Sequence, residues 1–353
     1  MKQRWVIKIG THSLTRGQKN IQPDVIGQLL EEIHELNQRG IEVILVSSGA
    51  VAAGKSIAPG IVDKHIFASI GQPHLINLYL NAARKKQLSI AQLLLSQHDL
   101  GNKDTFLTLQ HTLQTMLTEH ILPIINENDA ITRDTEAALG DNDSLAAKIA
   151  LSSAATRLII LSHVNGLYSE DPTINPRARI IAEVSDVNGP LLQLASKEKS
   201  SQGSGGMVSK LKAIRLATAF GIPGHITNLD ADNVLTQIAD GKKIGTEFLP
   251  NKKSLHVKNR DRWILSAKIS SGAITVDDGA KLALQKGKSL LAVGLRNVHG
   301  KFQAGKIIEI LDLNRETIGM GIVKMDDKEL TSLLQSQKVY NQEVIHADNL
   351  ITL

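Results

Sequence analysis

The chain has 353 residues, more than one ordinary core accommodates, so two domains are expected. Hydrophobic residues at 42% and charged residues at 21% are the balance of a globular protein, while aromatics at 3% leave Leu, Ile, Val and Ala to build the cores. The lack of cysteine excludes disulfides, thiolate catalysis and any metal site that needs sulfur.

The net charge of +5 is unevenly placed, because residues 251–306 carry 12 Lys/Arg against 3 Asp/Glu. That shift in composition marks a domain boundary. The apolar run in MKQRWVIKIG is too short for a signal segment, and no stretch approaches the roughly 18 apolar residues of a membrane span. A cytoplasmic protein without membrane association is expected.

Trp5 to Ile9 reads as a strand, with Lys8, Gly10 and Thr11 at its C-terminal end, where open α/β sheets bind ligands. Apolar spacing predicts a helix over 23–39, stopped by Gly40, and a buried strand over 41–46. This β-α-β unit implies a parallel pair. SSGAVAAG, residues 47–54, suits either an anion at a helix N-terminus or a close backbone contact that needs small side chains. A helix over 64–87, a strand over 90–95, a helix over 104–119 and a strand over 121–125 follow.

Two polar clusters then bracket one helix entry: Asn126, Glu127, Asn128 and Asp129, and later Asp141, Asn142 and Asp143. Either alone would be ordinary capping and turn chemistry. Together they suit a small zwitterionic ligand. Beyond a strand over 157–161, Asn165-Gly166 predicts a hairpin turn. The Ser/Gly/Lys-rich stretch 196–210 opens a helix over 207–220 whose first turn bears Lys210, an arrangement suited to phosphate. It fits neither the Walker A nor the GxGxxG spacing.

A short strand at 225–227, a helix over 231–239 and a strand over 245–249 complete a first domain, 1–250. After a linker, 251–268, a domain over 269–353 offers strands near 273–276, 289–292, 306–311 and 317–323 with one helix over 277–285. This predicts a small, mainly β, barrel-like unit. Lys8 and Lys210 fall on equivalent ends of a parallel sheet, as exposed cations, and Asp143 is placed to hold both. Two cations, backbone N–H groups and no strong nucleophile describe phosphoryl transfer.

The motifs KIGTHSLT from Lys8, VSSGAVAAG from Val46, INENDA from Ile125, GDNDSLAA from Gly140 and GSGGMVSK from Gly203 together resemble the glutamate 5-kinases of the amino-acid kinase superfamily. The C-terminal segment resembles a PUA domain. The resemblance implies an α/β fold, a mainly parallel sheet sandwiched by helices. It also implies transfer of the ATP γ-phosphate to the side-chain carboxylate of L-glutamate, the first step of proline biosynthesis, with Mg²⁺ bound on the nucleotide and no metal site on the protein itself.

By the same resemblance, Lys8 and Lys210 contact the phosphates and stabilise charge, and Asp143 orients both. Ser48, Asp129 and Asn142 match the glutamate-binding positions, with Asn126 and Asp141 nearby. Ser204, Gly205, Gly206, Met207, Val208, Ser209 and Lys210 match the ATP loop, and Ser162 and His163 stand beside the nucleotide. The family usually has Thr-Asp at Ser162-His163 and Thr at Ser204, so the contacts of His163 differ in hydrogen-bonding character.

Also implied are feedback inhibition by proline, a homo-oligomer (dimer or tetramer) and coupling to glutamyl-5-phosphate reductase. A kinase of the same superfamily with another substrate is the nearest rival reading. RNA binding by the basic C-terminal segment is the weaker one, because its only Trp and Phe residues are Trp263 and Phe302.

Overall fold

The computed structural model describes residues 2–352 apart from 61–62, 97–98, 101, 133–141, 171, 173, 176, 188, 190, 193–205, 231–232, 251–271 and 337–340. Strand β1 (Arg4–Ile9) sets out how the chain sorts its side chains. Trp5, Ile7 and Ile9 turn to one face and join a core with Val25, Leu29 and Ile33 of helix α2 (Pro23–Gln38). Lys8 takes the opposite face, because successive strand residues alternate. Between them, α1 (Thr11–Thr15) is a single helical turn where only a tight turn was expected.

The first unit continues with β2 (Glu42–Ser47), α3 (Ala50–Ile57), α4 (Lys64–Arg84), β3 (Ser89–Leu95), α5 (Lys103–Thr118), β4 (Ile121–Glu127), α6 (Asn142–Ser152) and β5 (Arg157–Ser162). It closes with β6 (Glu183–Val184), α7 (Met207–Ala219), β7 (Gly224–Asn228), α8 (Val234–Ala239) and β8 (Thr246–Phe248). The strands form one eight-stranded sheet in the order β3-β4-β2-β1-β5-β7-β8-β6. Its pairs are parallel except β7 with β8.

Local chemistry starts and stops these elements. Pro23 stands at the first turn of α2, where its missing N–H costs nothing. The Asp63 carboxylate accepts from the His65 and Ile66 amides to cap α4. Helices α3 and α4 pack backbone to backbone. A Cβ on Gly54 would fall 1.9 Å from the Phe67 carbonyl oxygen, and one on Gly71 would fall 1.8 Å from that of Ala50. The small residues after β2 therefore serve a close helix-helix contact.

Two expectations fail. Asn165-Gly166 makes no hairpin: β5 pairs in parallel with β1 and β7, and among the described residues the chain from there to β6 forms an isolated bridge, Tyr168 with Ile180. Gly166 is needed for space, since a Cβ there would meet Thr246 Oγ1 at 2.7 Å. Strand β4 also runs two residues past its expected end, which carries Asn126 and Glu127 into the sheet as buried residues.

The chain divides into two compact units, 1–96 with 107–256, and 97–106 with 257–353. The expected linker lies outside the described residues. The second unit holds β9 (Ala273–Val276), α9 (Asp278–Gln285), β10 (Leu290–Leu291), β11 (Leu295–His299), β12 (Ile307–Leu311), β13 (Thr317–Ile322), α10 (Asp327–Gln335), β14 (Glu343–Ile345) and β15 (Leu350–Thr352). A five-stranded sheet, β11-β9-β12-β13-β15, and a β10-β14 pair enclose Ile274, Val276, Ile308, Ile310 and Leu330. Helix α10 was not expected, although its signature was legible. Asp326 and Glu329 form a reciprocal capping box. Among the described residues no helix is long and apolar enough to cross a membrane.

Candidate active site

Three elements meet at the C-terminal ends of β1 and β5. Strand β1 presents Lys8, α6 starts at Asn142 and presents Asp143 in its first turn, and α7 starts behind Gly206 and presents Ser209 and Lys210 in its own. Lys8 Nζ lies 2.7 Å from Asp143 Oδ1, and Lys210 Nζ lies 3.1 Å from Oδ2, which also accepts from Ser209 Oγ at 3.2 Å. Each lysine thus has its own carboxylate oxygen.

The lysines are not the exposed cations expected from the sequence. Lys8 is 4% exposed, Lys210 7% and Asp143 0%. Strand alternation turns Lys8 inward toward α6, a helix buried along nearly all its length. Burial alone would raise the Asp143 carboxyl. The charges and hydrogen bonds of Lys8 and Lys210 outweigh it and hold the group below the ordinary carboxylate value. The cluster carries two positive charges against one negative. Its excess charge suits an anion.

A second polar group sits beside it. Asn142 Nδ2 donates to Ser48 Oγ at 3.0 Å and to Asn126 Oδ1 at 3.1 Å, which uses both of its donors. Asn126 Oδ1 also accepts from the Glu127 amide, and Asn126 Nδ2 donates to Gln72 Oε1 at 2.8 Å. Asn142 Oδ1 is buried and has no hydrogen-bond partner among the described residues. An acceptor held open in this way calls for a donor from a ligand, because an unmet buried acceptor costs about 1–3 kcal/mol.

Asp129 is held by other groups: its carbonyl accepts from His65 Nδ1 at 2.7 Å, and Lys64 Nζ lies 4.0 Å from its carboxylate. Asp141, Ser204 and Gly205 lie outside the described residues. Gly206 caps α7, and Met207 and Val208 form its first turn with Ser209. Ser162 ends β5 with a buried hydroxyl that has no partner among the described residues. His163 is exposed, and its ring lies 4.4 Å from that of His12, centroid to centroid. Desolvation, then the neighbouring His12 and Lys210, hold the His163 imidazole below its ordinary value.

Sequence reasoning missed Gln72, His65 and His12. Gln72 and His65 lie on a helix with no motif of its own and reach the site only through packing. His12 was visible, two residues beyond Gly10 in KIGTHSLT, and its place past a strand end was the available signal.

Among the described residues no cluster of His, Asp or Glu could hold a metal ion, and Asp143 is committed to its lysines. Among the described residues the donor set therefore offers no site for a metal bound by the protein alone.

A parallel sheet that gathers two lysines on one carboxylate beside two helix N-termini defines an enzyme of the kinase class, and the comparisons with known proteins agree. A model of the amino acid kinase family matches residues 3–228, and one of the PUA domain matches residues 272–345. The chain belongs to the amino acid kinase family.

Relatives matched over nearly their full length carry the name glutamate 5-kinase. That of Dehalococcoides mccartyi is 38% identical, with 99% of this chain and 98% of the relative covered. The Geobacter sulfurreducens protein is 37% identical and the Dictyoglomus thermophilum protein 36%, each with the same coverage. Among solved structures, a carbamate kinase from Giardia lamblia bound to AMP-PNP has a TM-score of 0.53 at 19% identity, covering 72% of this chain and 99% of that one. A UMP kinase from Bacillus anthracis has a TM-score of 0.50 at 17% identity, with the same coverage. These two likenesses concern the fold.

Proposed function

We propose that this chain transfers the γ-phosphate of ATP to the side-chain carboxylate of L-glutamate, giving L-glutamyl 5-phosphate and ADP in the first step of proline biosynthesis. The observation that carries the reading is Asp143 with one lysine on each oxygen, beside the open acceptor of Asn142. The full-length relatives named glutamate 5-kinase support the choice of substrate.

The chemistry is consistent with these residues. The substrate carboxylate is already a nucleophile, so no general base is needed. One of its oxygens bonds to the γ-phosphorus as the bond to the ADP oxygen breaks. The main obstacle is repulsion between anions. Lys8 and Lys210 offset it, one toward the transferring phosphoryl group and the other toward the leaving phosphate, at a separation set by Asp143.

Asn142 Oδ1 is suited to accept from the substrate ammonium. Ser48, which already accepts from Asn142, keeps its own proton to donate to a substrate carboxylate. Asn126, Asp129 and Asp141 complete the glutamate side. The stretch from Ser204 to Lys210, with Ser162 and His163, takes the nucleotide. Mg²⁺ enters this reading only as the counter-ion of the nucleotide phosphates, where it adds charge neutralisation.

In this reading residues 1–250 are the catalytic domain, 251–268 a linker and 269–353 a PUA-like domain. The protein is a cytoplasmic homo-oligomer, dimer or tetramer, inhibited by proline and coupled to a reductase that consumes its product. For the second unit, regulation or assembly is favoured over RNA binding. Phe302 is buried, and so is not available for base stacking, while Trp263 lies outside the described residues.

The decisive experiment traps ATP-dependent acyl phosphate as its hydroxamate, with glutamate, acetylglutamate or aspartate as acceptor, with and without proline. Turnover confined to glutamate supports the reading. Turnover of another acceptor in place of glutamate overturns it.

A further inference from the structure

Strands β1 and β5 are adjacent and parallel, with Ile9 opposite Leu161, so the residues just past their ends are brought together at one edge of the site. His12 follows one strand and His163 the other. Their rings meet at 4.4 Å, tilted by 42°. The chain makes room for this pair at Gly17, whose left-handed backbone (φ 72°) carries no side chain. A Cβ there would stand 3.3 Å from His12 Nε2.

Two polar atoms at this edge lack partners among the described residues: His12 Nδ1 and the Ser162 hydroxyl, both buried. Ser162 is 3% exposed. On β5 it alternates with Ile159 and Leu161, which join the α2 core, so it faces the side on which Lys8, Asp143 and Lys210 lie. A buried hydroxyl and a buried ring nitrogen, both without a partner among the described residues, can donate to an anion.

We propose that His12 and His163 form an imidazole pair that takes up a proton as the nucleotide phosphates bind, so that the pair and the Ser162 hydroxyl hold those phosphates together with Lys210. This inference rests on the reading of the site as nucleotide-binding and extends it to a proton balance. In the free protein, desolvation, His12 and Lys210 all disfavour a charge on His163. On the elements that carry the pair, Lys8 is paired with Asp143, and Arg16, which caps α1, is engaged by Asp24 and Asp230. None of these supplies the pair with an anion of its own.

A polyanion placed there reverses the balance and favours the imidazolium. Binding then takes up a proton, and affinity rises as pH falls. The gain is up to about tenfold for each unit by which the nucleotide raises the imidazole's pKa.

The test is calorimetric titration of the full chain with Mg-ADP at pH 7 in buffers of different ionisation enthalpy, which counts protons exchanged on binding. The same titration follows for His163→Asn, His12→Asn and Ser162→Ala. Proton uptake by the wild type that is lost in either histidine variant, with weaker binding in Ser162→Ala, is expected. Binding without proton uptake, or uptake unchanged in both histidine variants, overturns the pair and leaves the nucleotide reading standing. If the wild type binds no nucleotide, both fall. His163 is exposed, so its variant tests the proposal even if His12→Asn perturbs α1.

Discussion

Asp143, sealed from solvent, holds the ammonium of Lys8 at 2.7 Å although the two residues belong to different elements, a helix start and a strand end. This contact fixes α6 against β1 at the edge where the sheet delivers its polar groups. The pair is structural, and in the proposed reaction it is chemical as well.

Removing the two partners therefore has different consequences. Asp143→Ala takes from the buried Lys8 the carboxylate it pairs with, and a loss of about 3–5 kcal/mol in urea unfolding is expected. Lys8→Met leaves Asp143 with Lys210, so the fold should persist while turnover falls by about 100-fold or more. Near wild-type hydroxamate formation by Lys8→Met would remove Lys8 from the chemistry.

Gln72 should act on substrate affinity. It accepts from Asn126 and so fixes which way that amide points, which in turn leaves Asn142 Oδ1 open. Gln72→Leu removes the acceptor and is expected to raise the KM for glutamate with little change in kcat. Gln72→Glu keeps an acceptor and should recover part of the loss. Equal KM values for the wild type and Gln72→Leu would show that the amide is oriented by other contacts.

Gly54 and Gly71 should be intolerant of even a methyl group. Each added Cβ would strike a carbonyl of the facing helix at under 2 Å, and the neighbouring backbone has no flexible side chain to move aside. Gly71→Ala is expected to destabilise the protein by at least about 3 kcal/mol, the upper end for overpacking. By shifting α4 it should also raise the glutamate KM through Gln72. Thermal unfolding and initial rates check both effects.

His225 sets a pH dependence of stability. It is buried, accepts from Arg157 Nη1 at 3.1 Å and donates through Nε2 to the Ile244 carbonyl, which defines a neutral ring. Burial first, then the Arg157 charge, push it down to about 4. The unfolded chain binds a proton near pH 6.5 that the native state refuses. Stability is therefore full above that pH and is lost as pH falls toward about 4, by about 3 kcal/mol in all. Denaturant midpoints of His225→Gln should be flatter across that window. An unchanged slope would assign the dependence to other groups.

Most elements of the first unit were legible because their periods are strong: Val25, Ile26, Leu29, Leu30, Ile33 and Leu36 mark one helix face, and the strand after Gly40 is a continuous apolar run. The Asn165-Gly166 turn was misread because local turn chemistry says nothing about which strand lies next door. There, parallel neighbours left no hairpin to make. Lys8, Asp143 and Lys210 could be named from strand ends and helix starts, and the motifs around them identified the family.

Burial and partnership were not in the sequence. Lys8 and Lys210 read as exposed cations, since lysine is seldom buried, and the convergence of β1, α6 and α7 on one carboxylate helps make their burial tolerable. Gln72 and His12 carried no signal strong enough to name them. Their roles depend on which side chains stand within about 3 Å for a hydrogen bond or 4–5 Å for a ring contact. The sequence by itself determined most of the strands and helices of the first unit and the chemical types at their ends. The tertiary structure decided which of those groups share a charge, which acceptor is left open and which rings meet, because those are distances between elements far apart in the chain.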